Sequence, residues 1–140
     1  MWQRIQTLYL LIALLLEILL LTGTAYEVAD PHGMVSVGYW QLQSPYAAII
    51  LCILTLLTVL ALTTYKHLIF QMRTASLSGL VALGIQIWFG WMYFNWDGPV
   101  FKWTVIFPLV TAICCFLAAR GCFQDQLMVE SSQRLRNRRK

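Results

Sequence analysis

LSGLVALGIQIWFGWMYF, residues 77–94, runs for 18 residues without a formal charge. At about 1.5 Å of rise per residue it makes a helix about 27 Å long, close to the thickness of a bilayer's hydrocarbon layer. It reads as a membrane span. Ala75, Gly79, Ala82, Gln86 and Gly90 recur at steps of 4, 3, 4 and 4, which gathers small residues and one amide on a single helical face. Small residues let helix backbones approach closely, and an amide at that depth finds hydrogen bonds only from protein. That face is therefore expected to pack against another helix.

Three further apolar stretches, at about 5–22, 46–64 and 100–119, are available as partners. The chain has 140 residues, of which 59% are hydrophobic and 11% charged, and a mean hydropathy of +0.67. A water-soluble globule of this size would have to bury four wholly apolar helices in one small core, whereas a bilayer solvates them. The expected fold is all-α: a polytopic membrane protein built as a four-transmembrane-helix bundle over 1–120, followed by a basic tail over 121–140.

A secretory signal peptide is the rival reading of the first stretch, with Gly23-Thr24-Ala25 as its cleavage site. Glu17 within the apolar run argues against it, so the first helix is expected to stay. The outer loop, 23–45, contains the turn-forming Asp30-Pro31-His32-Gly33, so a short hairpin or extended cap is expected there. Ser44-Pro45 reads as a helix N-cap followed by a first-turn proline. Residues 65–76, with Lys66, His67 and Arg73, read as a short basic connection. Asn95-Trp96-Asp97-Gly98-Pro99 reads as a tight turn opening the last span. Pro108 is expected to kink that span and free a backbone carbonyl.

Of the ten Lys and Arg residues, Arg4, Lys66, Arg73, Arg120, Arg134, Arg136, Arg138, Arg139 and Lys140 fall on one side if both termini lie inside. Only Lys102 is left outside, near enough to its span to snorkel. The positive-inside rule therefore places both termini in the cytoplasm. Trp91, Tyr93, Trp96 and Trp103, with Tyr39, Trp40 and Tyr46, mark one rim, and Trp2, Tyr9, Tyr65 and Phe70 the other. Trp88, Trp91 and Trp96 with Phe89, Tyr93 and Phe94 could wall a quinone or lipid site, but the reading preferred is an interfacial aromatic belt.

Glu17 is the one acid inside a span. A carboxylate at that depth costs roughly 3 kcal/mol unless it is protonated, paired or hydrated. Glu17 with Gln86 is the candidate intramembrane polar site, with Thr55, Thr58 and Thr104 as further possible neighbours. The structural reading, a glutamate that fixes helix packing, is preferred to a proton site, because transport needs more polar groups along a path. The terminal Arg134, Arg136, Arg138, Arg139 and Lys140 are the candidate contact for anionic lipid or an acidic partner. Nucleic acid is not expected as a partner. Cys52, Cys114, Cys115 and Cys122 lack metal-ligand spacing and are expected to be free thiols. His32 and His67 fall on opposite sides, so they cannot jointly hold a haem. No phosphate loop, catalytic triad or HExxH pattern occurs, so no catalytic residue, cofactor or metal is assigned and no enzymatic activity is expected.

Gln3-Arg4-Ile5-Gln6-Thr7, followed by Tyr9-Leu10-Leu11, resembles the opening of the DUF4293 family, small four-span membrane proteins of unknown function in Bacteroidetes. Asp125, Val129, Ser131 and Arg134-Leu135-Arg136 resemble its closing pattern, from which Glu130 and Gln133 depart. The resemblance implies a bacterial inner membrane and brings no activity. The functional expectation is an accessory or scaffold subunit that meets other membrane subunits or its own copies. The alternative is a small proton-coupled carrier using Glu17.

Overall fold

The computed structural model describes residues 2–38, 45–65, 67–95 and 100–138. Helix α1 (Trp2–Thr22) leads into strands β1 (Thr24–Asp30) and β2 (Gly33–Gly38). Helices α2 (Pro45–Thr63) and α3 (Leu68–Asn95) follow, then a two-residue strand β3 (Val100–Phe101), a 3-10 turn (Trp103–Ile106) and helix α4 (Phe107–Arg138). All four helices are long and apolar enough to cross a membrane. α4 packs against α3 and α1, and α2 packs against α3 and α1.

Side-chain direction follows one rule on all four helices. On α1 the buried residues are Gln6, Leu10, Ala13, Glu17 and Leu20, spaced 4, 3, 4 and 3, while Leu8, Leu11, Leu15 and Ile18 face outward. On α2 the inward residues Ala47, Leu51, Leu54, Thr58 and Ala61 repeat that spacing. α3 turns Thr74, Ala75, Ser78, Gly79 and Ala82 inward, and α4 turns Thr111, Ala112, Cys115, Ala118 and Cys122. Small and polar groups line the helix contacts, and large aliphatic groups cover the outside. An exterior this apolar is favoured by a hydrocarbon solvent and not by water.

Three expectations about element ends are corrected. Residues 68–76, read as part of a connection, are the first turns of α3. Arg73 is the one charged residue in this segment, but nothing in Leu68–Ser76 breaks a helix, and backbone hydrogen bonds need no lipid to persist. The same applies beyond Ala119, where the polar segment read as a tail continues α4 to Arg138. At 28 and 32 residues, α3 and α4 are about 42 and 48 Å long, longer than hydrocarbon is thick. Third, Pro108, expected deep inside a span, stands near the start of one, directly after the 3-10 turn. It is the second residue of α4, in the first turn, where a missing N–H leaves no acceptor unserved.

The loop after α1 is the expected hairpin, with a strand that sequence reading did not anticipate. β1 pairs antiparallel with β2 from Asp30↔Gly33 to Thr24↔Gly38, and β3 adds on the other edge through Tyr26↔Phe101 and Glu27↔Val100. Gly33 closes the turn at φ 132°, a conformation that L side chains rarely adopt. A register shift between Thr24 and Tyr26 accompanies the burial of two consecutive side chains, Ala25 and Tyr26, against Leu20, Leu51 and Phe89. Burial pushes the Tyr26 phenol above its usual range. Lys102 donates its backbone N–H to Ala25 O and its ammonium to Glu27 Oε1 at 2.7 Å. The cation expected to snorkel is thus paired across the sheet. Tyr39, Trp40, Lys66, Trp96, Arg139, Lys140, the Ser44 cap and the turn at 96–99 lie outside the described residues.

Candidate functional site

Polar groups converge at two levels inside the helices. The deeper level centres on Glu17, which is 0% exposed. Thr58 of α2 donates its hydroxyl to Glu17 Oε2 at 2.6 Å. That hydroxyl also lies 2.9 Å from Thr55 O and 3.1 Å from Leu54 O, the carbonyls of its own helix. Cys115 of α4 lies within electrostatic reach of Glu17 and meets Ser78 of α3. Each helix therefore brings a polar side chain to this level: Glu17, Thr58, Ser78 and Cys115. Among the described buried groups, Glu17 Oε1 and Thr111 Oγ1 have no hydrogen-bond partner.

Of the neighbours expected for Glu17, Thr58 is in contact. Thr55 bonds its own helix at Leu51 O, and Thr104 donates to Thr24 O in the sheet region. Gln86 is half-buried, and its Oε1 also lacks a partner. Along the small-residue face of α3, Ala75 and Ala82 are fully buried. A Cβ on Gly79 would stand 3.2 Å from Phe116 Cζ, so the ring lies across that glycine. Gly90 faces open space.

The second level joins the two ends of the chain. Gln6 Nε2 donates to Asp125 Oδ2 at 2.7 Å, and Cys122 Sγ donates to Gln6 Oε1 at 3.2 Å. Both ends of one buried amide are thus held by α4. Gly121 makes room: a Cβ there would stand 2.8 Å from Gln6 Cγ and 3.1 Å from Gln6 Nε2. Sequence reading named Gln6 and Asp125 only as marks of resemblance. The available signal was the 4, 3, 4, 3 stripe of α1, which places Gln6 with Glu17.

Gly121→Ala is expected to push Gln6 off Asp125 and lower stability by about 1 kcal/mol, the net worth of one such bond. Maleimide labelling of Cys122 in the folded protein should accelerate with it. Labelling and unfolding both unchanged would show that Gln6 yields without loss.

Two clefts flank Gln6. One, of about 490 Å³, is lined by Gln6, Thr7, Leu8, Leu11, Leu62, Tyr65 and Gln71; the other, of about 200 Å³, runs along α4 past Arg120 and Gln124. Neither is lined by Glu17. At the sheet end, Trp91, Tyr93, Phe94 and Trp103 are exposed while Phe89 is buried, so the described members of the aromatic set do not converge on one cavity wall. His32 lies in the hairpin turn and His67 at the α2–α3 connection. The four cysteines are free. Among the described residues, no three His, Cys, Asp or Glu side chains are grouped as metal ligands would be.

In the terminal segment, Arg134 pairs with Glu130 one turn back at 2.7 Å, both exposed. Arg136 and Arg138 lie on the same helix. Residues 2–135 match the family described as a domain of unknown function, DUF4293. No curated protein and no solved structure matches the chain.

Proposed function

We propose a function for this chain, which belongs to the DUF4293 family, from its geometry: a non-enzymatic accessory or scaffold subunit of the bacterial inner membrane. In this reading the four helices form an antiparallel bundle with both termini in the cytoplasm, where the basic end of α4 meets anionic lipid or an acidic partner surface. The observation that carries it is the buried polar centre. Glu17 is fully buried and tied to Thr58, and neither cleft beside Gln6 reaches it. A carboxyl held this way fixes how helices meet; it does not offer a path for a substrate. The broad aliphatic exterior leaves surface for association with other subunits or with copies of this chain.

Crosslinking in native membranes, followed by gentle extraction, tests the subunit role. A discrete higher-mass complex is expected. Recovery as a lone monomer under every crosslinker would overturn it. Reporter fusions at both termini test the orientation, which fails if either terminus reports the periplasm.

A second reading, the small proton-coupled carrier, draws on the unpartnered Glu17 Oε1, Thr111 Oγ1 and Gln86 Oε1, a set of polar atoms that a moving proton or water could use. Glu17→Gln separates the two. It leaves complex formation intact and cellular phenotype unchanged for a packing residue, and abolishes flux in a correctly folded protein for a carrier.

A further inference from the structure

At the opposite end from the sheet, the α2–α3 connection forms a third cleft of about 500 Å³, lined by Thr64, His67, Ile69, Phe70 and Arg73. Its chemistry is divided. Ile69 and Phe70 are half-exposed apolar side chains on the outer surface that the helices present to hydrocarbon. Arg73 stands one turn further along α3, and His67 precedes the helix. Among the described residues Arg73 makes no ion pair: the described carboxylates with partners are Glu17 with Thr58, Glu27 with Lys102, Asp125 with Gln6, and Glu130 with Arg134. No acid lines the cleft.

A cation with no counter-charge among the described residues, set beside apolar surface where a span leaves the hydrocarbon, matches a molecule that is anionic at one end and aliphatic at the other. We propose that this cleft binds the phosphate of an anionic phospholipid, with Arg73 as the principal cation, His67 beside it and the acyl chains along Ile69 and Phe70. The guanidinium suits the task because its planar fork can donate two parallel hydrogen bonds to phosphate oxygens. Basic pockets between spans are the established physical means of lipid headgroup recognition. The proposal rests on the membrane reading but is independent of the subunit role. It also differs from the earlier expectation for the basic end of the chain, because it puts the lipid contact in a cleft between helices and gives the unpaired Arg73, not Arg134, the main part.

The test is retention of lipid by the purified full-length protein, measured by native mass spectrometry in detergent with equal phosphatidylglycerol and phosphatidylcholine. Preferential retention of phosphatidylglycerol is expected, reduced about fivefold by Arg73→Gln. Arg73→Lys should restore part of it, and Arg134→Gln should leave it unchanged. Equal retention of the two lipids overturns the proposal. So does a loss in Arg134→Gln as large as in Arg73→Gln, which would mean diffuse attraction to basic surface. Millimolar inorganic phosphate distinguishes the source of the anion: displacement of phosphatidylglycerol by phosphate would assign the cleft to a soluble phosphate and overturn the lipid assignment. If Arg73→Gln fails to fold, Phe70→Ala serves as the second variant. It removes acyl contact without touching charge and is expected to weaken retention of phosphatidylglycerol; full retention would count against the site.

Discussion

Thr58→Val is expected to lower the stability of the folded protein by about 1–2 kcal/mol, although valine nearly matches threonine in volume. The reason lies in Glu17. Its Oε2 accepts from Thr58 at 2.6 Å, and its Oε1 has no partner, so the substitution leaves a fully buried carboxyl with neither oxygen served. Removing the other member of the pair should be milder. In Glu17→Leu the Thr58 hydroxyl keeps the carbonyls of Leu54 and Thr55, at 3.1 and 2.9 Å, and the new side chain packs among Leu10, Ala13 and Leu20 of its own stripe. The double variant Glu17→Leu/Thr58→Val should then be close to the parent protein, because an apolar pair of similar shape can replace a buried polar one at little net change. Unfolding of all four proteins in mixed micelles gives the coupling directly. A Thr58→Val protein as stable as the parent, or strict additivity in the double variant, would remove Glu17–Thr58 as an organising contact.

The second large effect is expected at Gly79. A Cβ there already falls 3.2–3.3 Å from three atoms of the Phe116 ring, and the α3–α4 contact is the most extensive between helices. Gly79→Leu should drive the ring out and separate α3 from α4, at about 1–3 kcal/mol. Phe116→Ala in the same protein should recover much of the loss by opening the space. Gly84 is the control: it sits on the same helix and a Cβ there meets nothing within 4 Å, so Gly84→Ala should be neutral or stabilising, since alanine holds helix better than glycine by about 1 kcal/mol. If Gly79→Leu and Gly84→Ala behave alike, close approach at Gly79 is not what the small residue provides.

These contacts show unevenly how much could be read before the fold was known. The glycine and alanine stripe of α3 was legible because lipid-facing positions rarely need small residues. Its length was not: the stripe suggested contact as far as Gly90, where the structure has open space. The matching face of α4, Ala112, Cys115, Ala118 and Cys122, was not legible, because alanine and cysteine are small apolar residues that suit a lipid-facing side as well as a helix contact. Glu17 stood out as a lone acid, yet of its four expected neighbours it is Thr58 that hydrogen-bonds to it. The hairpin was legible from Asp30-Pro31-His32-Gly33, whereas β3 is two residues long and exists through its pairing with β1.

The apolar runs were enough to give the four helices long and apolar enough to cross a membrane, and their order. Those features depend on transfer between water and hydrocarbon, which each segment settles for itself. Which face of each helix turns inward, where α3 and α4 begin and end, and the meeting of Gln6 with Asp125 across 119 residues were decided by packing. The physical reason is that lipid and protein interior are both apolar. A soluble helix betrays its buried face by a hydrophobic stripe, but a helix apolar on every side marks that face only by an occasional glycine, hydroxyl or carboxyl, whose partner lies on another helix.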